Sequence, residues 1–83
     1  MAFVVIYSPR ALKDLRQFDT SIRRAIYAHI EMLRLREATL DVRKLHGKHS
    51  QYRVRVGNIR VVFTSEGNVL NVLRVVDRKD AYR

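Results

Sequence analysis

The sequence predicts an α+β fold, a strand and two helices followed by an antiparallel meander, with the helices packed on one sheet face. Three observations lead there. β-Branched and aromatic residues open the chain, helix-periodic apolar residues follow, and period-2 alternation with glycine-bearing turns fills the second half. At 83 residues there is room for one core with a thin stability margin, so residues 1–83 are read as a single domain. The expected order is β-α-α-β-β-β, a strand and two helices followed by a three-stranded meander.

Phe3-Val4-Val5-Ile6-Tyr7 is the first strand, apolar enough to be buried on both faces or nearly so. Ser8-Pro9 supplies an N-cap and a proline at the first helical position. Ala11, Leu12, Leu15 and Phe18 recur at helical spacing, which predicts a short helix from Pro9 to about Phe18. Asp19 or Thr20 caps the second helix. Its apolar stripe is Ile22, Ala25, Ile26, His29, Ile30 and Leu33, with Arg23, Arg24, Glu31 and Arg34 turned outward. His29, at the edge of the stripe, reads as a half-buried packing residue. From Glu37 to Asp41 the pattern is lost, and Leu45 is expected to anchor a loop. A hairpin follows over Tyr52 to Phe63, and after a Glu66-Gly67-Asn68 turn Val69 to Val76 is the last strand. Arg74 interrupts its alternation and marks either a bulge or an edge. Asp77 to Arg83 is a short polar tail whose aromatic residue is Tyr82.

The hairpin is the most informative stretch. With a two-residue Gly57-Asn58 turn, Val56 faces Ile59, Val54 faces Val61 and Tyr52 faces Phe63, so six side chains cover a core. On the other side Arg55 falls opposite Arg60, with Arg53 one step along. Like charges directly opposite each other destabilise a sheet, so three guanidinium groups on one face call for an anion, with a phosphodiester as the first candidate. The plainer alternative is a solvated strand face that happens to be basic.

Charge supports the anion. Lys and Arg number 17 against 8 acids, a net charge of +9, and the pI is near 10.9, the footprint of a nucleic-acid binder. From Val42 to Ser65 there are six basic residues (Arg43, Lys44, Lys48, Arg53, Arg55, Arg60) and no acid. The helical half mixes Asp14, Asp19, Glu31 and Glu37 among its arginines, as solvated faces do. An acidic peptide would be drawn to the same surface. The chain has no cysteine, which excludes disulfides, thiolate metal sites and a cysteine nucleophile. His46 and His49 flank Gly47-Lys48 without metal-ligand spacing and read as solvated loop histidines; no metal and no cofactor are expected. The apolar run Phe3 to Tyr7 is far too short for a signal peptide or a membrane span, so a cytoplasmic location is expected.

The phrase Tyr52-Arg53-Val54-Arg55-Val56-Gly57-Asn58-Ile59-Arg60-Val61-Val62-Phe63 resembles the RelE/ParE toxin superfamily of bacteria and archaea. So do the opening Tyr7-Ser8-Pro9-Arg10-Ala11-Leu12-Lys13-Asp14-Leu15 and the ending Arg74-Val75-Val76-Asp77-Arg78-Lys79-Asp80-Ala81-Tyr82-Arg83. The resemblance covers essentially the whole chain. It implies a toxin of a toxin–antitoxin system, neutralised by a cognate RelB-like antitoxin. RelE-type members are ribosome-dependent endoribonucleases that cut mRNA in the A site, where the ribose 2′-hydroxyl attacks the adjacent phosphate. ParE-type members share the fold, mostly lack the catalytic set and poison DNA gyrase. By this resemblance Arg60, Arg78 and Tyr82 are the catalytic candidates and Arg53 and Arg55 bind substrate; the nearby cations Lys44, Lys48 and Lys79 are further substrate-binding candidates. Two departures stand out. The hairpin-strand positions of the best-known nucleases carry lysine, whereas Arg53 and Arg55 are poor proton acceptors. Asp77 stands where many relatives have a histidine; it is either an unusual base or the ion-pair partner of Arg78 or Lys79. An mRNA-cleaving enzyme, a ParE-like gyrase poison and an inactive relative that binds its antitoxin remain the three readings.

Overall fold

The computed structural model describes residues 2–36, 40, 42–45, 47 and 50–78. Ser8 accepts the Ala11 N–H at 3.0 Å and so starts α1 (Pro9–Leu15). Asp19, rather than Thr20, caps α2 (Thr20–Arg34) through the Ile22 N–H at 3.0 Å. The strands are β1 (Val4–Tyr7), β2 (Val42–Lys44), β3 (Gln51–Val56), β4 (Ile59–Glu66) and β5 (Val69–Asp77). They form one mixed sheet in the order β1-β5-β4-β3-β2. β1 runs parallel to β5 and the other pairs are antiparallel. The α+β architecture is the expected one, lengthened by β2 in a region that carried no strand pattern.

Both helices cover the same sheet face. Ala11, Leu15, Ile26 and Ile30 pack there against Val54, Val56, Ile59, Val61, Phe63, Leu70, Val72 and Val75. The hairpin register is the expected one: Tyr52 pairs with Phe63, Val54 with Val61, Arg55 with Arg60 and Val56 with Ile59. The Tyr52 and Phe63 rings stack with centroids 5.7 Å apart. His29 is half-buried, its Nδ1–H donating to the Ala25 carbonyl at 2.9 Å.

Two expectations need correction. The first strand is not covered on both faces: Val4 and Ile6 are 53% and 49% exposed, because β1 is an edge strand and the helices lie on one side of the sheet. Asp14 does not sit on a solvated helix face. It is 5% exposed, because α1 lies along the part of β5 that β1 no longer pairs. There Ser8 Oγ donates to the Leu73 carbonyl, and an Asp14 carboxylate oxygen accepts the Val75 N–H at 2.9 Å. The sheet edge is closed by helix side chains instead of another strand. Among the described residues, no helix is long and apolar enough to cross a membrane.

Candidate nucleic-acid interface

The β3–β4 turn determines where the cations meet. Gly57 has φ +59°, and of the two turn residues it alone takes positive φ. Gly at the first central position is the pattern of a type II′ hairpin, which explains the Gly-Asn order. The turn sets Arg55 opposite Arg60. On the far side of β4, Asp77 pairs with Ile59, so β5 ends beside the same turn. The Arg78 N–H donates to the Asn58 carbonyl at 2.7 Å. A pocket of about 120 Å³ results, lined by Arg55, Gly57, Asn58, Ile59, Arg60 and Arg78. Three arginines from three chain segments border one small cavity. Arg55 and Arg78 are exposed, while Arg60 is half-buried and makes a contact of its own within the fold. Guanidinium groups stay charged at any working pH, so the pocket suits a planar or tetrahedral oxyanion.

Arg53 departs from expectation. It is 6% exposed and engaged within the fold, so it does not offer its charge to solvent as Arg55 does. The register accounts for this: β3 is flanked on both sides there, Arg53 lying between Val62 of β4 and Arg43 of β2. The same register separates the two cations of β2. Lys44 pairs with Tyr52 and therefore belongs to the helix side of the sheet, whereas Arg43 pairs with Arg53 and belongs to the arginine side. Sequence reasoning singled out Lys44 and passed over Arg43. The tripeptide Val42-Arg43-Lys44 was the available signal, an alternation too short to distinguish from loop. Lys48, Lys79 and Tyr82, like His46 and His49, lie outside the described residues.

Asp77 falls on the other side. Its partner Ile59 is a core residue, and Asp77 lines a cleft of about 460 Å³ with Arg10, Asp14 and Arg74, away from the arginine pocket. Arg74 is where β5 bulges: Val62 pairs with Arg74 but Phe63 with Val72, leaving Leu73 as the extra residue. The bulge lets the Arg74 Nε reach Asp14 at 2.8 Å, and Arg10 approaches the same carboxylate at 3.5 Å. Burial by itself would raise the Asp14 pKa. The Arg74 and Val75 hydrogen bonds, with the charges of Arg74 and Arg10, outweigh it and hold the carboxyl below its usual range. This network is structural, joining α1 to the strand that delivers Arg78.

Comparison with known proteins places these features in context. The sequence model of the family described as the ParE toxin of type II toxin–antitoxin systems, parDE, matches residues 5–82. Toxin RelE3 of Methanocaldococcus jannaschii is 34% identical over 82 residues, spanning 94% of this chain and 93% of that protein. The RelB–RelE antitoxin–toxin complex from Methanococcus jannaschii matches in structure with a TM-score of 0.81 at 31% identity, over 93% of this chain and 94% of that one. The E. coli DinJ–YafQ toxin–antitoxin complex gives 0.79 over 100% of both chains at 14% identity, a likeness of fold.

Proposed function

The chain belongs to the RelE/ParE family of type II toxin–antitoxin toxins, and from that premise we propose that it is a RelE-like endoribonuclease cutting mRNA in the ribosomal decoding site. The observation that carries this reading is the pocket shared by Arg55, Arg60 and Arg78. In the reaction the 2′-oxygen forms a bond to the adjacent phosphorus and the bond from phosphorus to the 5′-oxygen breaks. The products are a 2′,3′-cyclic phosphate and a 5′-hydroxyl. One proton leaves the 2′-hydroxyl and one is taken up by the departing oxygen. Negative charge grows on the non-bridging oxygens meanwhile, and fixed cations aimed at them lower the barrier.

Arg60 has the place to grip those oxygens with a planar fork, with Arg55 opposite it on β3. Arg78, held through its backbone at the turn, stands at the leaving-group side. Tyr82 stacks on a nucleotide and aligns it for in-line attack. Lys48 and Lys79 add phosphate contacts. With Asp77 turned toward α1, the proton acceptor is Tyr82 or a group of the ribosome rather than a carboxylate in the pocket. The partner that silences the enzyme is a RelB-like antitoxin, and the site of action is cytoplasmic.

Primer extension on purified ribosomes programmed with a defined message tests the proposal. Wild-type protein should produce discrete cuts in the A-site codon, and Arg78→Ala should remove them. An intact message together with inhibited gyrase supercoiling would replace this reading by the ParE-type one.

A further inference from the structure

We propose that Arg43 holds a second phosphate of the message, next to the one in the Arg55–Arg60–Arg78 pocket. The proposal rests on the nuclease reading above and extends its substrate contacts to β2. Arg43 pairs with Arg53 and so stands on the arginine side of the sheet. Relative to Arg55 it is the diagonal neighbour across β2 and β3, at roughly 7–8 Å between backbone positions. That offset suits one step of a single-stranded backbone, given the reach of two arginine side chains. Arg53 lies between the two but is 6% exposed, whereas Arg43, which also makes a contact within the fold, is exposed. At this end of the face, Arg43 is therefore the guanidinium that a bound strand meets.

The register gathers Arg43, Arg53, Arg55 and Arg60 on one face, and although Arg43, Arg53 and Arg60 each make a contact within the fold, the exposed Arg43 and Arg55 lie where a line of phosphates would run. A charged residue on an edge strand also guards against edge-to-edge association, and that role would need no RNA.

The test uses programmed ribosomes and messages carrying a neutral methylphosphonate at one linkage near the cut. Arg43→Ala should cleave the unmodified message about tenfold more slowly, the loss expected from one charge-assisted contact. Arg43→Lys should recover most of it. In wild type, neutralising one flanking linkage should cause a similar loss, and in Arg43→Ala that linkage should cause no further loss. Losses that add at every linkage would place Arg43 on ribosomal RNA and overturn the proposal. An unchanged rate accompanied by self-association of Arg43→Ala would leave it as an edge guard. A wild-type protein that fails to cut the unmodified message would instead overturn the nuclease reading itself.

Discussion

Asp14 accepts both the Val75 N–H and the Arg74 guanidinium, so removing it strands a buried backbone donor as well as a cation. Asp14→Ala should therefore lose about 2–3 kcal/mol in urea unfolding, and Asp14→Asn less, since an amide oxygen still accepts from Val75. The pH dependence has a definite sign. A carboxyl depressed in the folded state adds stability that is fully present above the unfolded value, about pH 4, and is lost as pH falls through the folded one. Asp14→Asn should flatten that acid limb of the stability curve; an unchanged limb would mean that other carboxylates carry it. The arginines divide in the same way. Arg53→Ala should lower stability by about 2 kcal/mol, because a buried, engaged guanidinium leaves its partners unmet. Arg78→Ala should leave the melting temperature nearly unchanged, because its side chain is exposed and its bond to Asn58 is made by the backbone. Its cleavage rate should fall by about 10²–10³, as when one transition-state donor is removed. Arg55 and Arg60 were legible in the sequence because a two-residue turn forces their register. The burial of Arg53 was not, since it depends on a neighbour that the pattern did not announce.

That neighbour is β2, and at the level of elements it shows what periodicity can reveal. The alternation from Tyr52 to Val56, the Gly-Asn turn and the apolar positions Ile59, Val61 and Phe63 specify the hairpin down to its residue pairs over Tyr52 to Phe63. Three exposed residues with no apolar face specify nothing, and β2 exists because the edge of β3 offers unpaired backbone groups. The openness of β1 was hidden for a related reason. Val4 and Ile6 look like core by composition, but which face the helices cover is decided by tertiary packing. The β3–β4 turn, by contrast, makes a checkable claim. Gly57 has φ +59° and open space around its α-carbon, so an added side chain meets no clash and suffers only backbone strain. Gly57→Ala should cost about 1–2 kcal/mol. It should also slow cleavage more than its lost stability explains, because the turn positions Arg55 and Arg60 and its Asn58 carbonyl holds Arg78. Equal activity per folded molecule would detach the turn from positioning.

The molecule as a whole is strongly basic, with cations on the helices as well as on the arginine face of the sheet. A net charge of +9 on 83 residues draws any polyanion, messenger, ribosomal RNA or acidic peptide alike. Electrostatics therefore cannot by itself distinguish target from neutraliser; the two must be held by different physics. RNA contacts are mainly phosphate contacts, whose affinity falls steeply as salt rises. An antitoxin that folds on binding and wraps the domain has to be held mainly by apolar burial, since exposed ion pairs are screened within about 8 Å at physiological ionic strength. The fold offers apolar surface for this at Val4 and Ile6 on β1 and at Leu12 and Tyr27 on the helices, all more than 40% exposed. The two kinds of complex should then part company in salt. In about 1 M NaCl, where screening shortens to about 3 Å, a co-expressed antitoxin should stay on the toxin through affinity purification while bound RNA is washed away. Replacing Ile6 by Ser should weaken the antitoxin complex at that salt and leave cleavage by free toxin intact, since Ile6 lies on the edge strand at the far end of the sheet from β2. An antitoxin released at the same salt as RNA would mean that it is held by the arginines themselves.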